Sequence, residues 1–114
     1  MLAGKYRMRG HYYISRAKEK GTMYQFPNFG MAVYKRKDDD KPPKFSFIVS
    51  TKIAKHAVDR NRIKRTLSEA VRFESKYLIN GYDVVFLAKT QITRTPTDDT
   101  MKEVKQALKK AKLI

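Results

Sequence analysis

The stretch "KFSFIVSTKIAKHAVDRNRIKRTLSEAV", residues 44–71, changes its apolar period part-way along. Phe45, Phe47 and Val49 alternate with Ser46, Ile48 and Ser50, the period of two that marks a strand with two unlike faces. From about Val58 the apolar positions become Ile63, Leu67, Ala70 and Val71, the i, i+4, i+7, i+8 stripe of an amphipathic helix. Asp59 is the expected N-cap, and the helix is expected to run to about Tyr77. At about 100° per residue, Asn61, Arg62, Arg65, Arg72 and Lys76 fall opposite that stripe, with Arg60 and Lys64 nearer its borders. Four of the six residues 60–65 are basic. Cations in a first helical turn oppose the helix dipole, so folding alone gives no reason to put them there.

The flanks supply the rest of the fold. Downstream, "NGY" (80–82) turns the chain into "DVVFLAK" (83–89), apolar on both faces and therefore a covered, central strand. Upstream, "FGMAVYKR" (29–36) reads as another strand. It is joined to residues 44–50 by the polar loop "KDDDKPPK" (37–44), which predicts that these two strands are antiparallel neighbours. "YYISRAKEKG" reads as a short helix with Tyr13 and Ala17 on one face and Gly21 as its stop. After the loop "TQITRT", Pro96 suits a first helical position and Asp98 and Asp99 sit where the dipole favours anions. Met101, Val104, Leu108 and Ala111 form the stripe of a last helix. The expected class is α+β: one domain over residues 1–114, a small sheet of about four strands covered by three helices. Residues 1–12 form a basic segment expected to be mobile.

Composition narrows the partner. The chain has 114 residues, 26 basic against 11 acidic, a net charge of +15, and a pI of about 10.1. Self-repulsion of that size is most simply offset by a polyanion, and nucleic acid leads among these. No cysteine is present, which removes disulfides, thiolate nucleophiles and cysteine-based zinc sites and fits a reducing cytoplasm. No apolar run approaches the roughly 20 residues of a membrane span, and MLAGKYRMRG lacks the apolar core of a signal peptide. The expected location is cytoplasmic, with no membrane partner.

Arginine suits the polar helix face because its planar fork holds phosphate through two hydrogen bonds and can stack on a base. Asn61 adds a donor and an acceptor fit for a 2′-hydroxyl or a base edge. With "RNRIKR" and "SEAVR" on one helix, the chain resembles the bacterial ribonuclease P protein component. The preceding strand, the following "YDVVFLAK" and the closing basic helix are similar as well. The resemblance is strong over residues 44–89 and weaker over 1–36.

That resemblance implies a protein that binds a large catalytic RNA and the single-stranded 5′ leader of precursor tRNA, assisting endonucleolytic 5′ maturation. The RNA would carry the hydrolysis and its magnesium; the protein itself would bind no cofactor and hold no catalytic residue. It also implies a left-handed βαβ crossover, in a fold also found as a domain of a ribosomal protein. Carried over, Arg60, Asn61, Arg62, Lys64 and Arg65 would lie on the catalytic RNA. Lys52, Lys55 and Arg72 extend the RNA-binding set, with Thr51 replacing one of two adjacent lysines. Ser46 stands where the family usually has glycine, and Ser68 where arginine is common. The leader-contact candidates are Tyr13, Ile14, Phe29, Tyr34 and Phe47, available for stacking on unpaired bases. If the strand is regular, Phe29 and Tyr34 cannot share a face.

Two other classes compete. A self-contained nuclease would need His11 and His56 to meet as acid and base, or the Asp38–Asp40 run to hold metal, where a solvated turn is the ordinary reading. A ribosomal or other structural RNA-binding protein would have the same charge and composition, and only the setting of RNRIKR separates the two.

Overall fold

The computed structural model describes residues 2–37 and 39–114; Asp38, from the acidic run, lies outside the described residues. In chain order it contains α1 (His11–Lys20), β1 (Thr22–Gln25), β2 (Phe29–Lys35), β3 (Lys44–Ile48), α2 (Ala57–Phe73), β4 (Tyr82–Ala88) and α3 (Thr97–Lys110). The strands make one mixed sheet of order β1-β2-β4-β3. β2 runs antiparallel to both β1 and β4, while β3 is parallel to β4 and joined to it through α2.

The expected pairing of β2 with β3 is therefore corrected: β4 stands between them. Its composition requires this, because Val84 and Phe86 are fully buried on one face of the sheet and Val85 on the other. An edge position would leave part of that apolar surface, and one row of backbone groups, in water. β1 is an addition to the strands read from periodicity. Its side chains are mostly exposed, and it is held by a register from Thr22↔Val33 to Gln25↔Gly30. The Phe26 N–H donates to the Phe29 carbonyl at 2.9 Å to close the turn.

The helices form where the stripes place them, with shifted ends. α2 starts at Ala57 behind His56, which gives no side-chain cap, so Asp59 is not the N-cap but a carboxylate in the first turn. There it still favours the positive end of the dipole. The helix stops at Phe73 and the chain tightens into a 3-10 turn at Ser75–Tyr77, which takes Lys76 off the helix. α1 stops at Gly21, as expected. A Cβ there would stand 2.4 Å from the Ala17 carbonyl oxygen and 2.7 Å from that of Val33, so no side chain fits. Pro96 caps α3 from just outside it, with Asp98 and Asp99 in the first turn.

The sheet is covered unequally. On one face Phe29, Met31, Val33, Phe45, Val84 and Phe86 pack against Ile63, Leu67 and Val71 of α2 and Val104 and Leu108 of α3. Each such side chain contributes about 1.5–3 kcal/mol on burial. The other face carries α1, whose Ala17 meets Ala32 and Val85, with Met8, Ile14, Tyr34, Ile48 and Leu87 around them. The N-terminal segment lies along the free edge of β3. Leu2 is buried, Arg7 bridges Phe45 in parallel, and the Met8 N–H donates to the Phe45 carbonyl at 2.9 Å.

Candidate nucleic-acid interface

Burying Ile63, Leu67, Ala70 and Val71 turns the opposite side of α2 to solvent, and Asn61, Arg62, Lys64, Arg65 and Arg72 are all exposed there. Arg62, Lys64 and Arg65 have no carboxylate within ion-pair distance among the described residues. Arg72 differs. It meets Glu69 at 2.7 Å, and its guanidinium holds the Glu69 carboxyl down at about 2. The positive charge of this helix is thus free in its first half and compensated in its last turn.

Arg60 is half-buried, and one of its terminal nitrogens donates to the carbonyls of Ala54 (3.0 Å) and Lys55 (2.8 Å). It fastens the helix to the turn after β3, where the Ser50 carbonyl accepts from the N–H groups of Ile53 and Ala54. That turn presents Lys52 and Lys55, both exposed, beside the basic face. Ser68 faces the sheet instead of solvent, donating to the Arg65 carbonyl at 3.0 Å. Between α2 and β3 runs a cleft of about 400 Å3, with Asn61, Lys64, Arg65 and Ser68 on one wall and Ser46 and Phe47 on the other.

The aromatic set divides as strand alternation demands. Phe29 is removed from the leader-contact set: it is 0% exposed, packed between Phe26 and Phe86, and has no surface on which a base could stack. Phe47 is half-buried on that same face, stacked at 5.4 Å on Phe86. Tyr34 and Ile14 lie half-buried on the other face under α1. Tyr13 is 46% exposed and meets Tyr12 edge-on at 5.3 Å.

Arg16 was missed. Its guanidinium lies 4.4 Å from the centre of the Tyr34 ring, 5.3 Å from that of Tyr13 and 5.6 Å from that of Tyr12. It is held there by Asp83 at 2.7 Å, a hydrogen bond that also raises its pKa above the ordinary arginine value. The sequence signal was Asp83 itself, one carboxylate at the head of an apolar strand, which burial would oblige to find cations.

His11 opens α1 and His56 precedes α2, and neither imidazole has a hydrogen-bonding partner among the described residues. Among those residues no three His, Cys, Asp or Glu side chains gather to hold a metal ion, and no helix is long and apolar enough to cross a membrane.

The sequence model of the family described as Ribonuclease P matches residues 2–112. The chain belongs to the ribonuclease P protein family. A ribonuclease P protein component from Cyanothece sp. is 27% identical over 128 residues, covering 100% of this chain and 98% of that protein. One from Caldanaerobacter subterraneus is 36% identical over 92 residues, or 81% of this chain and 70% of its own length. Among solved structures, the RNase P protein of Staphylococcus aureus superposes with a TM-score of 0.86 at 24% identity, covering 95% of this chain and 96% of that one. The RNase P protein from Thermotoga maritima superposes with a TM-score of 0.80 at 20% identity, over 91% and 96%. At these identities the two structures speak for the fold alone.

Proposed function

We propose that this chain is the protein subunit of ribonuclease P, binding the catalytic RNA through the first half of α2 and the single-stranded 5′ leader of precursor tRNA through its exposed aromatics and lysines. One observation carries the reading: in a member of this family, Asn61, Arg62, Lys64 and Arg65 stand together on a solvent face with no ion-paired carboxylate among the described residues. Such a face holds phosphates at fixed spacing and reads a 2′-hydroxyl with Asn61. Hydrolysis and its magnesium belong, in this reading, to the RNA. The protein's part is to neutralise phosphate repulsion, hold the substrate and lower the magnesium concentration at which the RNA works.

The test is cleavage of a precursor tRNA by protein alone, by catalytic RNA alone and by both, at low magnesium. Protein alone is expected to leave the precursor intact, and the mixture to exceed the RNA alone. Cleavage by RNA-free protein, or co-purification with ribosomal subunits and no effect on the catalytic RNA, would overturn the proposal.

A further inference from the structure

Glu74, the residue that ends α2, is only 8% exposed, an unusual place for an acidic side chain. Among the described residues its carboxylate accepts no hydrogen bond. Its ion-pair partner, the Lys105 ammonium, stands at 3.6 Å, beyond hydrogen-bond length. Buried carboxylate oxygens are ordinarily hydrogen-bonded, so these keep acceptor capacity for a ligand. Glu74 lines a hollow of about 330 Å3 with Tyr77, Lys105, Lys109 and Ile114. Two helices finish beside it, α2 at Phe73 and α3 at Lys110. Helix C-termini present carbonyl oxygens and the negative end of the dipole, which suits a ligand edge made of N–H donors.

The surroundings are apolar and cationic. The Tyr77 ring is 59% exposed, with the Lys76 ammonium 5.2 Å from its centre. Phe73 and Ile79 are exposed as well, so three of the seven exposed large apolar side chains among the described residues fall within 73–79. Such a concentration marks a contact surface. Lys76 and Lys109 have no ion-paired carboxylate among the described residues, which gives that surface a positive rim.

We propose that this hollow holds an unpaired guanine of an RNA, with its Watson–Crick edge on Glu74, its ring on Tyr77 and its phosphate at Lys109. The guanine edge carries two adjacent donors, N1–H and N2–H, which match the two oxygens of one carboxylate. Adenine and cytosine offer one amino donor beside an acceptor, and uracil an N–H between two carbonyls. Each of these would set an acceptor against the carboxylate. Stacking adds affinity and is indifferent to the base. A free guanine nucleotide presents the same chemistry; RNA as its source rests on the reading of α2 given above. The site sits at the end of α2 away from the Arg62–Arg65 cluster.

The experiment titrates the full chain with labelled oligouridines bearing one central guanosine, inosine or adenosine, and with guanosine monophosphate. The guanosine oligonucleotide should bind roughly tenfold more tightly than the adenosine one, with inosine, which lacks the 2-amino group, between them. Glu74→Gln should erase that preference, because an amide presents one acceptor and one donor group. Tyr77→Leu should weaken every oligonucleotide where Tyr77→Phe does not, and both should unfold like the parent, since the ring is exposed. If Glu74→Gln unfolds early, the inosine comparison on the parent still decides. Arg65→Ala should weaken all three alike and leave the preference intact. Equal binding of the three by the parent, with Arg65→Ala weakened, would overturn the inference alone. An unweakened Arg65→Ala would instead overturn the reading of α2. Guanosine monophosphate binding as tightly as the oligonucleotide would exclude RNA as the source. A parent dimer in sedimentation that Tyr77→Leu dissociates would assign the surface to a second copy. Either of these last results would sink the proposal.

Discussion

Arg65 and Arg72 project from the same helix, and their difference is set by one neighbour. Arg65 has no acidic partner among the described residues; Arg72 is held by Glu69. Arg65→Ala is therefore expected to weaken binding to the catalytic RNA by about 1.5–3 kcal/mol, the worth of hydrogen bonds to charged groups. Arg72→Ala should cost less, and neither should shift thermal unfolding, since both side chains lie off the apolar stripe. Equal losses in an RNA titration would mean that the whole helix face is the interface. Glu69 offers a converse test. Its folded pKa is depressed to about 2 from an ordinary 4.5, so the pair's contribution is in place above pH 4.5 and is lost as pH falls through about 2. Mild acid should leave the pair intact, whereas Glu69→Gln should release Arg72 and modestly tighten RNA binding at neutral pH. Unchanged affinity in that variant would show that Arg72 plays no part. The cluster was legible from spacing alone, because a helical stripe fixes which residues oppose it. Arg16 was not, because its role depends on Asp83, which is distant in sequence and becomes a neighbour only when α1 crosses β4.

Among the elements, β4 and α1 are joined by that same carboxylate. Asp83→Asn keeps the shape but leaves Arg16 and Arg36 side by side without their shared counter-charge. The expected loss is about 3–5 kcal/mol in denaturant unfolding, the range for breaking a buried pair. A loss below about 1 kcal/mol would mean that water reaches the site and solvates both guanidiniums. Periodicity revealed α2, α3 and β4 because each buries a regular stripe or both faces, whereas α1, which buries Ala17, was marked chiefly by its stop at Gly21. Periodicity could not reveal β1, whose TMYQ is held through backbone pairing with β2 and carries little apolar pattern. Nor could it order the sheet. The loop between β2 and β3 has a length compatible with a hairpin or with a step across one strand, and only the two-sided burial of β4 decides between them.

The molecule as a whole carries +15, and among the described residues Arg62, Lys64 and Arg65 of α2 and Lys52 and Lys55 of the turn before it are exposed cations with no ion-paired carboxylate. Binding of a single-stranded leader should accordingly depend on salt. With three to five phosphates neutralised at about 0.7 each, the slope of log K against log salt should be roughly −2 to −3.5. Fluorescence anisotropy between low and physiological salt measures it, and a flat response would show that the charge serves solubility only.

β4 lies between β2 and β3, yet it is the last strand to leave the ribosome. Until residue 88 has been synthesised, β2 has the short β1 beside it and β3 has, among the described residues, the N-terminal segment's bridge at Phe45. The nascent chain therefore cannot close its sheet until β4 has emerged, in a step dominated by distant contacts. Its basic helix is made before the core that will anchor it, so an RNA encountered early would meet the charge before the fold.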